Sequence, residues 1–156
     1  MDEIEIVEMS PQTVLGIRRR GPYSHIPEML MEIWAVIMEK GAIPAGPPVF
    51  VCRQTAIAEV EQAVASGDAD LEVAFPVANR VKPEGYVEYY TLPGGRFAKV
   101  LHRGPYERCT ATYERFYAWL AEHGLAITGP IREYYLNDPS EVAPEEILTE
   151  ILAPIG

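Results

Sequence analysis

Basic residues are scarce in this sequence. Its 156 residues carry 13 Lys and Arg against 23 Asp and Glu, a formal net charge of −10. A surface that neutralises backbone phosphates needs an excess of Lys and Arg, so direct binding to nucleic acid is not expected. An acidic chain suits neutral or cationic partners better. Cysteine is scarcer still. Cys52 and Cys109 stand far apart, without a CxxC spacing, and each lies inside an apolar pattern. Free buried thiols in a reducing cytoplasm follow. No apolar run approaches the length of about 18 residues that reads as a membrane-spanning helix. The acidic, alternating start Met1-Asp2-Glu3-Ile4-Glu5 has neither the basic nor the apolar region of a signal peptide. No membrane partner is expected. GxSxG, HExxH and the phosphate-binding P-loop are absent, and His25, His102 and His123 share no metal-ligand spacing. No metal and no cofactor are therefore expected. Apolar residues, at 48%, and aromatics, at 10%, suffice to offset chain entropy, so an ordered chain of one-domain size is expected.

What is present is an internal repeat. Arg20-Gly21-Pro22-Tyr23 recurs as Arg103-Gly104-Pro105-Tyr106, at an offset of 83. The same offset carries Ala35 onto Ala118, Glu39 onto Glu122, Gly41 onto Gly124 and Gly46-Pro47 onto Gly129-Pro130. These are nine identities over the 28 positions from Arg20 to Pro47, with no gap; chance at average residue usage gives roughly two. A period this long, present twice, is no solenoid. It implies a duplication with pseudo-two-fold symmetry, the copies running over residues 3–78 and 86–156.

Each copy reads as a hairpin, a helix and two further strands. Ile4-Glu5-Ile6-Val7 and Val87-Glu88-Tyr89-Tyr90 are β-rich. Ser10-Pro11 and Pro93-Gly94-Gly95 turn the chain into second strands, Thr13 to Arg19 and Phe97 to His102. Gly-Pro then breaks the strand and starts a helix. One helix carries Ile26, Leu30, Ile33 and Ile37 on a face, and its copy carries Cys109, Tyr113, Phe116 and Leu120. Gly41 and Gly124 are placed as helix caps. Third strands are read over Val49 to Arg53 and Ile131 to Leu136, and fourth strands over Leu71 to Val77 and Thr149 to Ile155. The fourth strands match at an offset of 78, so the first copy has five extra residues, within which Ala56 to Ala65 reads as a short helix. The fold class is α+β: duplicated strand-helix-strand-strand modules forming one antiparallel sheet, two helices on its outer face, and a groove at the seam of the inner face.

Two stretches carry a family likeness. The first is the pair of Arg-Gly-Pro-Tyr junctions. The second is Gly129-Pro130-Ile131-Arg132-Glu133-Tyr134-Tyr135-Leu136-Asn137-Asp138-Pro139, followed by Pro144-Glu145-Glu146 and Leu148-Thr149-Glu150-Ile151. Both resemble the gyrase-inhibitory-protein-like (GyrI-like) family, also called the bacterial effector-binding domain. The resemblance spans nearly the whole chain and implies a single effector-binding domain over residues 1–156. In that family the domain often follows a DNA-binding segment in transcription regulators and senses drugs. Other members inhibit gyrase, or hydrolyse cyclopropane-containing alkylating compounds. Because the first strand begins near residue 3, regulation by this chain implies a DNA-binding partner or a longer chain.

Within the family, ligands lie between the modules against aromatic rings and a buried acid. Glu150 falls on the family's acidic strand position. Read from the residues alone, it is either a carboxylate facing an apolar cleft or an acid on a solvated face; the resemblance favours the first. Glu72 is its counterpart in the first copy. Glu133 and Tyr135 share one face of a strand whose counterparts are Phe50 and Cys52, an asymmetry that suits a polar site against an apolar wall. Glu133 otherwise pairs with Arg132 or Arg96, and Tyr135 otherwise fills the core. Alternation places Tyr89 and Tyr90 on opposite faces, and Tyr90 is assigned to the cleft. Trp119, beside Phe116, is either core or pocket wall. The leading expectation is binding of small, mostly apolar or cationic organic molecules, as in drug sensing or sequestration. Two alternatives remain: a hydrolase of strained electrophilic rings using Glu150 or Glu133 with Tyr135, and a gyrase-inhibitor-type protein partner.

Overall fold

The structure, a computed structural model, describes residues 4–156; Glu3, within the expected first copy, lies outside them. The first half runs β1 (Ile4–Met9), β2 (Gln12–Gly21), α1 (Ile26–Lys40), β3 (Val49–Cys52), α2 (Ile57–Ser66) and β4 (Ala69–Pro76). The second runs β5 (Glu88–Leu92), β6 (Gly95–Arg103), α3 (Cys109–Glu122), β7 (Ile131–Tyr135) and β8 (Leu148–Pro154). In both halves a single 3₁₀ turn at the repeated tyrosine, Tyr23–His25 and Tyr106–Arg108, converts the strand into the helix. Among the described residues, no helix is long and apolar enough to cross a membrane.

The expected hairpins do not form. All eight strands join one antiparallel sheet in the order β1-β6-β8-β7-β3-β4-β2-β5. β1 therefore pairs with β6 of the other half, and β5 pairs with β2. The halves exchange their first strands. The links are very short: Ser10-Pro11 joins β1 to β2, and Pro93-Gly94 joins β5 to β6. Three Cα–Cα steps span at most about 11 Å. In a flat sheet β1 and β2 would lie six strand spacings apart, about 29 Å. The sheet must therefore curl until its two ends meet, and it forms a half-barrel.

Side chains on the concave face confirm the curl. The Tyr134 hydroxyl donates to Gln12 Oε1, and the Arg132 guanidinium donates to the Pro93 carbonyl and lies 4.7 Å from the Phe97 ring centre. Two residues of central β7 thus reach the start of β2 and the link and strand of β6. This face is filled by Val14, Val49, Val51, Ala74, Phe97 and Leu152. The convex face carries the larger core. There Ile33 and Ile37 of α1, and Phe116 and Leu120 of α3, pack on Leu15, Val73, Val100 and Ile151. Gly41 caps α1 in the left-handed conformation, φ 70°. His102, buried on β6, hydrogen-bonds the Thr112 hydroxyl at 2.7 Å through Nδ1 and donates from Nε2 to the Pro105 carbonyl at 3.0 Å. It ties the second Gly-Pro-Tyr junction to the sheet.

Where the two links cross, Gly94 lies against the Met9 carbonyl, and a Cβ built on it falls 2.7 Å from the Pro11 nitrogen. Both obstacles are backbone, so they cannot turn aside. Gly94→Ala is expected to destabilise the fold by about 1–3 kcal/mol, the cost of overpacking a close-packed site. Gly46→Ala, whose Cβ meets only Pro76 at 3.5 Å, should change stability by about 0.5 kcal/mol or less. Urea unfolding of both variants checks this; equal midpoints would show that the crossing is not tight.

Candidate functional site

The groove lies on the convex face, not on the inner one. The inner face is the one expected from the sequence, because an antiparallel sheet can bury one face under helices and leave the other free. Here the starts of α1 and α3 stand apart and leave the β3–β7 seam open between them. The opening, about 1340 Å³, has Phe50, Cys52, Ile131, Glu133 and Tyr135 as its floor. Its walls are Tyr23, Ile26 and Leu30 on one side and Tyr106, Cys109, Tyr113 and Tyr117 on the other. Each helix stripe read from the sequence is therefore divided. Its later half, Ile33 and Ile37 or Phe116 and Leu120, is core, and its first turns line the groove. Ile57, Val60, Glu61 and Val64 of α2 add a wall found only in the first half. This volume exceeds the usual range of small-ligand pockets, about 300–1,000 Å³.

Glu133 stands at the centre of the floor. It is paired directly across the seam with Phe50, so one side of the carboxylate meets a hydrocarbon ring. The Tyr113 hydroxyl donates to its Oε2, and the Tyr135 hydroxyl lies 3.4 Å from its Oε1. Tyr106 packs edge-on to Tyr135 at 5.5 Å, and Tyr23 edge-on to Phe50 at 6.1 Å. Burial raises the Glu133 pKa above the ordinary carboxylate range, and the two tyrosine hydroxyls offset part of that rise. The remaining surface of the carboxylate faces an apolar groove rather than open water. Burial, aided by the Glu133 charge, pushes the Cys52 and Cys109 thiols and the Tyr23 hydroxyl up to about 12. These groups stay neutral near pH 7, so the thiols are poor nucleophiles. The chemistry available on the floor is one carboxylate, Glu133, that either attracts a cation or holds a proton. Among the described residues, no cluster of His, Cys, Asp and Glu forms a metal site.

Of the residues singled out in the sequence, Glu133, Tyr135 and Phe50 meet in the groove, and Glu150, Glu72, Tyr90 and Trp119 do not. Glu150 was placed towards the cleft, opposite Ile151 and Ala153. It is indeed opposite them, but the groove is on their side: Ile151 pairs with Glu133, and Glu150 with Tyr134. Glu150 sits on the concave face, 3.8 Å from Lys99. Glu72, also concave, is buried against Arg53 at 2.6 Å and accepts from the Tyr90 hydroxyl at 2.6 Å. This is a structural ion pair, and it occupies both residues. Tyr89 points to the convex side beneath Arg80, away from the groove. Trp119 stacks on His123 at 3.9 Å against the core. Arg132 is not a partner for Glu133, because neighbours on a strand face opposite ways.

Sequence reading missed Tyr113, Tyr23, Tyr106 and Gln54 as groove residues. The signals were present. Both motif tyrosines open a helix beside the seam, Tyr113 sits one turn into the stripe, and Gln54 extends the Phe50–Cys52 alternation.

The model of the GyrI-like small molecule binding domain matches residues 2–155. No curated protein matches the sequence. Among solved structures, the EcmrR C-terminal domain superposes with a TM-score of 0.87 at 20% identity, covering 100% of this chain and 98% of that one. EcmrR in its complex with DNA gives 0.85 at 21% identity, covering 99% of this chain and 57% of that one. The chain thus spans little more than half of that relative. SAV2435 bound to tetraphenylphosphonium gives 0.60 at 13% identity, covering 99% and 94%. At these identities the likeness is one of fold.

The raised pKa of Glu133 has a consequence for stability. The unfolded chain ionises this group near pH 4.3, whereas the folded chain holds the proton to higher pH. Folding is therefore favoured below the ordinary carboxylate range and loses stability as pH rises through the folded pKa. Glu133→Gln removes that loss. Its Tm at pH 7 should exceed that of the wild type, by about 2–4 °C for each kcal/mol recovered. The difference should vanish near pH 4. A thermal melt series from pH 4 to 8 checks it, and a gap that does not depend on pH would refute it.

Proposed function

The chain belongs to the GyrI-like small-molecule-binding family, and we propose that its groove takes bulky, largely apolar organic cations, as a drug sensor or sequestering protein. The observation that carries this reading is Glu133. It is a carboxylate in no ion pair with Lys or Arg among the described residues, set among tyrosine rings at the floor of a large groove. Glu61, Glu107 and Asp138 also line the groove, and no Lys, Arg or His does among the described residues. Apolar walls of low dielectric focus this negative field onto a guest. Ring faces add about 0.5–2 kcal/mol each for a cation above them. Support also comes from SAV2435, a relative in fold that is bound to a lipophilic cation. The complex of EcmrR with DNA supports a regulatory setting, reached through a DNA-binding partner or segment. The free cysteines Cys52 and Cys109 fit a reducing, cytoplasmic location.

A second reading rests on the raised pKa of Glu133. In its protonated form the carboxyl would serve as general acid in the hydrolysis of a strained ring, beside the Tyr113 and Tyr135 hydroxyls. Product formation, followed by chromatography, separates turnover from binding.

Tetraphenylphosphonium and tetraphenylborate, equal in shape and opposite in charge, test the main reading by calorimetric titration. A charge about 6 Å from Glu133, at an effective dielectric of about 20, gains about 3 kcal/mol, or about 100-fold. The phosphonium should bind more tightly, and Glu133→Gln should weaken it by about 10- to 100-fold. Glu150→Gln, on the other face, should leave it unchanged. Because protonated Glu133 is neutral, phosphonium affinity should fall on acidification below its raised pKa. Equal affinity for the two ions would end the cation reading.

A further inference from the structure

We infer that the groove prefers cations bearing N–H donors, protonated amines or amidines, over quaternary onium ions, and that Gln54 reads the N–H. This rests on the cation reading above and narrows its ligand class. Gln54 follows β3 on the groove side, two residues beyond Cys52, whose thiol donates to the Gln54 carbonyl at 3.1 Å. Its side-chain Oε1 is enclosed in the groove wall with no donor. The Tyr23 hydroxyl, of another groove residue, is likewise enclosed without a partner.

Comparison within the chain makes the orphan informative. The offset of 83 carries Gln54 onto Asn137, which also lines the groove. Asn137 spends both ends of its amide on its own loop: Nδ2 donates to the Glu146 carbonyl at 2.9 Å, and Oδ1 accepts from the Leu148 N–H at 3.0 Å. The amide at the matching position in the first half is left free. An enclosed acceptor without a donor is penalised, and a guest that supplies the donor removes the penalty. The carboxylates of the groove are acceptors too, and none of its lining side chains is a Lys, Arg, His or Trp among the described residues. The groove therefore lacks donors of fixed charge and offers unfilled acceptors. A quaternary ion supplies charge but no hydrogen, and leaves the acceptors dry. Sites built to hydrogen-bond a donor reject analogues that lack it.

The test uses two probes on one frame, naphthylmethylammonium and naphthylmethyl-trimethylammonium, titrated at pH 7 by calorimetry. The methyl groups add apolar surface, so burial alone favours the quaternary ion. Wild type should bind the ammonium more tightly, by about 10-fold. Gln54→Leu should reduce the ratio to 1 or below. Tyr23→Phe, which keeps the ring, should lower the ratio in part, and it guards against a folding defect in the first variant. Glu133→Gln should weaken both probes. A wild-type ratio of 1 or below, or a ratio unmoved by Gln54→Leu, overturns the inference while the cation reading stands. Failure of both probes to bind overturns the cation reading and this inference with it.

Discussion

The two-residue links between exchanged strands govern this structure. Without them β1 and β5 would fold back as hairpins, and each half could lie flat. With them, the opposite ends of an eight-stranded sheet are held within about 11 Å, and the sheet has to curl. Curling separates two environments. The concave face becomes too narrow for a guest and fills with its own side chains, Phe97 beneath Arg132 and Tyr134 against Gln12. The convex face splays at the centre, so α1 and α3 cover the flanks and leave the seam open. The position of the groove is thus a consequence of where the strands exchange.

The seam itself has a simple geometry. β3 and β7 pair so that Phe50 faces Glu133, and these positions are related by the offset of 83 that relates the Arg-Gly-Pro-Tyr junctions. A pseudo-two-fold axis through that pair places both residues at the middle of the floor. A change at either position therefore alters the centre of the groove. With Phe on one side and Glu on the other, a single charge is set at the middle of the floor beside a hydrocarbon ring. One carboxylate there is tolerable because Tyr113 and Tyr135 donate to it; two would repel across the seam.

The acids of the concave face follow the opposite logic. Glu72 is buried, but Arg53 neutralises it and Tyr90 completes its hydrogen bonding. Removing one partner would leave an uncompensated charge, so the residue is locked into the fold. Glu150 and Lys99 are partly open to water, where an ion pair contributes about 0–1 kcal/mol. Burial in an apolar strand does not by itself distinguish a site from a strut. The distinction lies in whether the charge has a cationic partner.

The sequence alone determined the repeat, the alternation along each strand, the helix stripes and the strand-to-helix junctions, because these depend on neighbours within a few residues. That is why α1, α3 and all eight strands were legible, and why Phe50, Glu133 and Tyr135 could be grouped on one face. Only the tertiary structure decided which strand pairs with which and which face of the sheet is hollow. A two-residue turn such as Ser10-Pro11 is compatible with either a hairpin or an exchange, since both satisfy the backbone locally. The choice rests on contacts between residues some 80 to 100 apart, such as Ile6 with Ala98. Alternation shows that Glu150 and Ile151 face opposite ways, but not which way is the groove. That sign was set by the curl of the whole sheet, and it put Glu133, not Glu150, in the groove.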